Sequence, residues 1–598
     1  MTRILRPLRA FCSLSRFRAK QSHPALVAAL LTLGATPLPA QVIRDTNVAV
    51  MMRDSVILRA DVWRPAGDSQ FPVLVYRTPY GKQAAEDGYT TFSKAVERGY
   101  AVVIQDVRGR YASAGEFNPY RNEGRDGYDT IEWAATQPWS DGRVGSFGLS
   151  YPGAVQWLAA VESPPHLKAM VPAMTFSRPE TFFYSGGVWD LSWISWAWFN
   201  IAPDALERLG RAPRTDEQVA ADWDANRNKW LDYLPLNQLE ALHDAAPWYY
   251  EWLDHPPTDP WWDWADLTTR YRKTTAAVLN ISGWYDEGYG PTGAIENFLG
   301  LRAARSGRPS RTQLVIGPWV HGGIQQSKAG DRRMGDNATL DYDELILSWM
   351  DRYVREVQNG VDTLPRVRVY LMGADEWLTA NRWPLPGTLP MPLYLSGGDS
   401  IAPDGRLLKT RPREDEAFSV FFSDPEHPLT DPYGDTYGAH DYNRLTGRSD
   451  LLSFDTAPLD SAVDVVGSVT ADLYFSVDNR DTDFYVRLLD VAPDGTAYNL
   501  MHPGLTVQRA SARNGTVSPQ LLVPNRVYHL QLSRMLTGNR FLPGHRIRIQ
   551  VSAAFFPWFS RNLHTGYSDV TGDVMAPARI TVYHDRGRPS KITLTVRR

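Results

Sequence analysis

A serine set between an apolar strand-like run and a segment of small residues constrains this chain more than any other feature. In Val144-Gly-Ser-Phe-Gly-Leu-Ser-Tyr-Pro-Gly153, Ser150 follows the apolar run and precedes Ala154 to Ala160. The layout is that of a nucleophile elbow, in which a strand ends, the chain reverses sharply and a helix starts directly beneath the serine. Gly148 leaves room for a strained backbone, and the helix start offers unpaired N–H groups to a developing oxyanion. One departure stands out. The common elbow reads Gly-x-Ser-x-Gly, whereas here Pro152 takes the second glycine position and Gly153 follows. Taken alone, the pattern also fits an ordinary strand-to-helix turn. A catalytic reading requires a base and an orienting acid downstream, in the order Ser, Asp, His.

Both are present. The candidate acid is Asp286, in Ala276-Ala-Val-Leu-Asn-Ile-Ser-Gly-Trp-Tyr-Asp286, and the candidate base is His321, in Thr312-Gln-Leu-Val-Ile-Gly-Pro-Trp-Val-His321. Each lies just past a short apolar run of the kind that forms a buried parallel strand. Catalytic groups in open α/β sheets collect beyond the carboxyl ends of such strands. Asp286 would fix the imidazole tautomer of His321. His321 would take the Ser150 proton and return it to the leaving group.

Six ordered segments carry a resemblance. They are Arg77-Thr-Pro-Tyr80-Gly, Gln105-Asp-Val-Arg-Gly109, Asp126-Gly-Tyr-Asp-Thr-Ile-Glu-Trp133, Gly148-Leu-Ser-Tyr-Pro-Gly153, Gly283-Trp-Tyr-Asp286 and Gly317-Pro-Trp-Val-His321. With Asp481-Thr-Asp-Phe484 and Pro557-Trp-Phe-Ser-Arg-Asn562, the chain resembles the cocaine esterase-like hydrolases, relatives of X-Pro dipeptidyl-peptidases and α-amino acid ester hydrolases. The resemblance implies that Ser150, Asp286 and His321 form a triad. It also implies that the Tyr80 hydroxyl and the Tyr151 backbone N–H form the oxyanion hole. Without it, Tyr80 would pass as a turn residue after Pro79.

At 598 residues the chain is too long for one core, and two or three domains are expected. A net charge of −4 gives no reason to expect nucleic acid or an anionic membrane as partner. The first forty residues hold Arg3, Arg6, Arg9, Arg16, Arg18 and Lys20 and no acid, and they run into Ala25-Leu-Val-Ala-Ala-Leu-Leu-Thr-Leu33. Ala35-Thr-Pro-Leu-Pro-Ala40 follows and ends on a small residue, so residues 1–40 read as a secretory signal peptide, cut near Ala40. The apolar run falls well short of the roughly 20 residues of a membrane span. Cys12 lies in the leader, so the mature chain would carry no thiol or disulfide. The expected location is the periplasm or the medium, with no membrane attachment after cleavage. A homo-oligomer is compatible with the sequence but not indicated by it.

Past the leader, Asn47–Met52 and Ser55–Trp63 suggest a hairpin. Pro72–Tyr76, Ala101–Ile104, Val144–Phe147 and Leu167–Val171 then read as buried strands alternating with helical stretches such as Asp126–Thr136. This alternation is the signature of a doubly wound, mostly parallel sheet, here an α/β-hydrolase fold. Residues 41–175 and 272–360 are assigned to it. Residues 176–271 are helical and aromatic and read as an inserted cap. Trp189, Trp193 and Trp196 fall at i, i+4 and i+7, one face of a helix. Most cap rings would form its own core, but some should face substrate. Trp189, with Glu287 and Tyr289 beside the candidate acid, is assigned to the substrate site. From residue 361 to 598, short β-rich runs such as Arg366–Tyr370, Val469–Phe475 and Arg546–Val551 indicate a β-sandwich, for which the resemblance implies a jelly roll. No phosphate loop, dinucleotide fingerprint or His-Glu-x-x-His occurs, so neither cofactor nor metal is expected.

These residues point to an exported serine hydrolase that cleaves a small carboxylic ester, or an amide, through an acyl-enzyme. In the α-amino acid ester hydrolase branch, acids stand two and three residues after the catalytic aspartate. Here those positions are Gly288 and Tyr289, and only Glu287 is acidic. The expected acyl group is therefore neutral. The alternatives are an α-amino acid ester hydrolase or β-lactam or glutaryl acylase, an X-Pro dipeptidyl-peptidase, and a catalytically silent glycan- or polymer-binding protein.

Overall fold

Buried Val- and Ile-rich runs, each too short for a helix, set the architecture. The computed structural model describes residues 41–178, 182–286, 290–306, 311–397, 404–434, 436–501, 505–515 and 519–598; the leader assigned to residues 1–40 lies outside them. Strands β1 (Val42–Met51) and β2 (Ile57–Pro65) form the opening hairpin. Then β3 (Phe71–Thr78), α1 (Lys82–Gly88), α2 (Thr91–Glu97), β4 (Ala101–Asp106), α3 (Glu123–Ala135), β5 (Ser140–Leu149), α4 (Tyr151–Ala160) and β6 (Leu167–Ala173) follow.

The chain next leaves the sheet. Two-residue strands β7 (Tyr184–Ser185) and β8 (Val188–Trp189) lead to α5 (Ser192–Trp196), a π-helical turn (Ala197–Ile201), α6 (Ala202–Arg208), α7 (Asp216–Leu231) and α8 (Pro247–Asp254). It returns through β9 (Ala277–Tyr285), α9 (Gly290–Ala304), β10 (Thr312–Val320), the small hairpin β11 (Lys328–Ala329) and β12 (Arg332–Arg333), α10 (Tyr342–Tyr353), β13 (Val367–Leu371) and β14 (Glu376–Ala380).

Among the described residues the sheet runs β1-β2-β4-β3-β5-β6-β9-β10-β13-β14. Every pairing from β4 to β13 is parallel, and antiparallel strands close both edges. The fold is an α/β hydrolase with a C-terminal β domain. Because β3 lies between β4 and β5, the strand order reverses at β3, which is where open α/β sheets bind ligands. The segments leaving the carboxyl ends of β3 and β5 begin with Pro79-Tyr80 and Ser150.

Two sequence expectations differ from what is observed. Arg366–Tyr370, assigned above to the β-sandwich, instead supplies β13, pairing Val367 with Leu314 in parallel with β10 and extending the α/β sheet to Ala380. Its alternation suits an edge of either sheet, so periodicity could not assign it. Trp189 is not on a helix with Trp193 and Trp196: it pairs with Tyr184 in the β7–β8 hairpin, and α5 begins only at Ser192.

Beyond Thr388 the described strands form one large sheet in which inward residues alternate, as in Leu473, Phe475 and Val477 or Ile547, Ile549 and Val551. This β domain grips the cap by backbone bonds. Arg509 N–H donates to the Gly186 carbonyl (2.8 Å), Leu191 N–H to Trp558 (2.9 Å), Ser560 N–H to Trp189 (2.9 Å) and Leu236 N–H to Asp569 (3.1 Å). Behind these bonds, the Arg509 side chain bridges the buried Asp483 (3.0 Å) and Asp569 (2.9 Å), and Asn562 donates to Asp483 (2.7 Å). The Asp481–Phe484 and Pro557–Asn562 motifs are thus parts of the joint between β domain and cap.

Candidate active site

Ser150 stands where β5 gives way to α4, with φ 69° and ψ −128°. A non-glycine residue rarely adopts a positive φ, and the neighbouring bonds hold this one in place. Its N–H donates to the Ala173 carbonyl on β6 (3.0 Å), and its own carbonyl accepts from Gly153 (2.8 Å) and Ala154 (3.0 Å). The displaced second glycine now has a cause. Pro152 sits in the first turn of α4, where a missing N–H costs no helical bond. At Gly153, a β-carbon would fall 2.5 Å from the Ala173 oxygen, so the close approach of α4 to β6 needs glycine there.

Asp286 follows the end of β9 and is fully buried. Its Oδ1 lies 2.6 Å from His321 Nδ1, and its Oδ2 accepts from Ser282 Oγ (2.5 Å). The carboxylate holds the Nδ1 proton, which leaves Nε2 of His321 as the basic nitrogen. His321 itself follows β10, and its side chain is 7% exposed.

The helix beneath Ser150 is anchored through the Tyr151 side chain. The Tyr151 hydroxyl donates to Glu123 Oε1 (2.9 Å) and accepts from the Tyr120 N–H (2.9 Å), while Glu123 Oε2 lies 2.8 Å from Arg77 Nη1. Burial pushes the Tyr151 phenol well above its usual value, so it stays neutral and donates. Burial also pushes the Glu123 carboxyl up, against the pull of Arg77. At the first position of α4, the Tyr151 N–H has no helical carbonyl to meet.

Ser150, His321 and Tyr80 all line one cavity of about 530 Å³, a size suited to a small molecule. Its walls include Phe182, Trp193, Trp196, Tyr120 and Met174. Asp216, exposed at the start of α7, is the only carboxylate among the described lining residues. Trp189 does not line it: that ring is 1% exposed and packs edge-on against Tyr184 (4.9 Å) and Tyr249 (5.7 Å). The early hairpin turns Trp189 into the cap core and leaves the wall to Trp193 and Trp196. Glu287 and Tyr289 lie outside the described residues.

Sequence reasoning did not single out Ser282 or Glu123. Each meets the site through a single side-chain hydrogen bond, to Asp286 or from Tyr151, and such a bond leaves no periodic signal.

Comparison with known proteins fits this geometry. Residues 54–323 match the X-Pro dipeptidyl-peptidase (S15) family, and residues 359–593 match the X-Pro dipeptidyl-peptidase C-terminal non-catalytic domain. A cocaine esterase from Rhodococcus sp. (strain MB1 Bresler) is 34% identical over 542 residues, which is 87% of this chain and 92% of that one. Among solved structures, an aminopeptidase from a marine sediment Thaumarchaeota archaeon superposes with a TM-score of 0.77 at 22% identity, covering 95% of this chain and 99% of that one. An α-amino acid ester hydrolase gives 0.74 at 23% identity with the same coverage.

Proposed function

Because this chain belongs to the cocaine esterase-like family and is a serine hydrolase acting on esters, we propose that it cleaves carboxylic esters of neutral, aromatic acids through an acyl-enzyme. The observation that carries this reading is the 2.6 Å contact between Asp286 and His321, with His321 and Ser150 opening on one aromatic-walled cavity. Ser150 Oγ attacks the ester carbonyl as His321 Nε2 takes its proton, and Asp286 stabilises the imidazolium. The oxyanion accepts from the Tyr80 hydroxyl and the Tyr151 N–H. Collapse of the intermediate expels the alcohol, which takes the proton from His321. Water, deprotonated by the same imidazole, then releases the acid.

A neutral acyl group is favoured because the cavity wall is aromatic and the one carboxylate among its described lining residues, Asp216, is exposed. A substrate ammonium placed against these rings would lose hydration without gaining a charged partner. Phenylacetyl esters are therefore expected to exceed matching phenylglycine esters in kcat/KM by about tenfold or more, the leaving alcohol being the same. Faster cleavage of the phenylglycine esters would overturn the neutral-acyl reading and favour an α-amino acid ester hydrolase.

The basic and then apolar residues before Gln41 support export, and the proposed location is the periplasm or the medium. N-terminal sequencing of protein from those fractions is expected to begin near Gln41. A cytoplasmic chain that keeps Met1 would count against export.

A further inference from the structure

We infer that Trp196 is a positioning residue that sets the direction of the Tyr80 hydroxyl, an inference that rests on reading Tyr80 as an oxyanion donor. The indole Nε1 of Trp196 lies 3.2 Å from Tyr80 Oη. An indole N–H donates and never accepts, so in this pair the phenol oxygen must be the acceptor. A hydrogen on Tyr80 Oη that pointed at Trp196 would collide with the indole hydrogen. The phenol O–H is therefore turned away from Trp196, and both residues face the cavity that holds Ser150. A phenol whose oxygen already accepts a hydrogen bond is also the stronger donor, because successive bonds polarise one another. An oxyanion donor acts best when its direction is fixed before the charge forms.

The framework holding the two side chains supports this assignment. The Trp196 ring meets Trp193 edge-on at 5.3 Å and Trp248 at 5.6 Å, and it lies parallel to Tyr151 within 7°. Trp196 ends α5, immediately before the π-helical turn, a distortion common at functional sites. That turn is bound to the Tyr80 segment by one fully buried guanidinium. Arg110 Nε donates to the Pro79 carbonyl (2.8 Å), Nη2 to Asn200 (2.8 Å) and Nη1 to Ile201 (3.0 Å). Nη1 also lies 3.2 Å from Asp204. The residue preceding Tyr80 and the turn following Trp196 thus hang from the same planar fork. A guanidinium is suited to this because its donors have fixed mutual directions.

The inference separates a wall residue from an orienting one. Were Trp196 only a wall, its loss would affect binding equally whether or not residue 80 carries a hydroxyl. Were it the orienting partner, its effect on turnover would vanish once that hydroxyl is gone. The experiment measures kcat and KM for one phenylacetyl ester with the wild type, Tyr80→Phe, Trp196→Phe and the double variant. A fifth protein carries benzothienylalanine at position 196, which keeps the fused-ring shape and lacks the N–H. Tyr80→Phe is expected to lower kcat about 10²–10³-fold. Trp196→Phe and the benzothienyl replacement should each lower kcat about tenfold. The double variant should match Tyr80→Phe in kcat. Equal kcat losses from Trp196→Phe in both backgrounds, or a benzothienyl protein with wild-type kcat, would overturn the inference. An unchanged kcat in Tyr80→Phe would instead remove the oxyanion role of Tyr80 itself, a result distinguishable from either of those.

Discussion

Replacing Ser150 with alanine is expected to lower kcat by about 10⁶-fold, to the level left by binding and the oxyanion donors alone. The fold should persist. The bonds that hold residue 150 at positive φ run through its backbone, to Ala173 on one side and from Gly153 and Ala154 on the other, and alanine keeps all of them. The strain of a β-carbon at φ 69° is already present in the serine. The variant should melt with the wild type, lose labelling by a fluorophosphonate probe and retain its affinity for a non-hydrolysable ester analogue. Near-wild-type turnover in a clean preparation would remove Ser150 from the nucleophile role and with it the acyl-enzyme.

Asp286→Asn should cost about 10⁴-fold in kcat with little change in KM. The carboxylate does two things at once: Oδ1 meets His321 Nδ1 and Oδ2 accepts the Ser282 hydroxyl. An amide cannot do both in the same way. With its NH₂ toward His321, the imidazole must move its proton to Nε2, and the base facing Ser150 is lost. With its oxygen toward His321, the tautomer survives, but the imidazolium formed during attack has no anion beside it. Asp286 is fully buried, so no water is at hand to replace that charge. In the second orientation the amide NH₂ faces Ser282, whose hydroxyl can accept from it, so adding Ser282→Ala to Asp286→Asn would leave a buried N–H unpaired in the arrangement that keeps the tautomer and should deepen the loss. Activity within tenfold of wild type in Asp286→Asn would show that His321 is oriented by something else.

How far the site could be read from sequence depends on how local each signal is. Ser150, Asp286 and His321 were legible because each lies at the end of an apolar run, and parallel strands bring such ends to one edge whatever the details of packing. The Arg366–Tyr370 run was misassigned because alternation records a half-buried strand but not the sheet it joins. Trp189 failed for a different reason. Its spacing from Trp193 and Trp196 suits a helix, yet the chain makes a two-residue hairpin through Gly186 and Gly187 first, and a single turn is enough to invert where a ring points. Arg110 follows the Gln105–Gly109 motif and carries no pattern of its own. Its importance lies in three carbonyls, two of them about ninety residues away. Contacts of that kind exist only once the fold does.

The cap's attachment to the β domain has a bearing on how substrates are chosen. Gly186, Trp189, Leu191 and Leu236 are each joined to the C-terminal domain by main-chain bonds, and Asp232 pairs with the largely buried Arg561 (2.9 Å). A roof nailed down at several points along its length resists swinging like a hinged lid, because opening would break several main-chain bonds at once. Selection is then expected to work as a sieve of standing mesh rather than as a trap that closes. On that reading girth would decide admission before any bond is tested, and a slender ester would enter and leave without waiting on the protein. Broad tolerance for alcohols that protrude from the opening, together with sharp rejection of acyl groups too wide for the ring-lined chamber, is the selectivity expected of such a vestibule if the proposed ester cleavage holds.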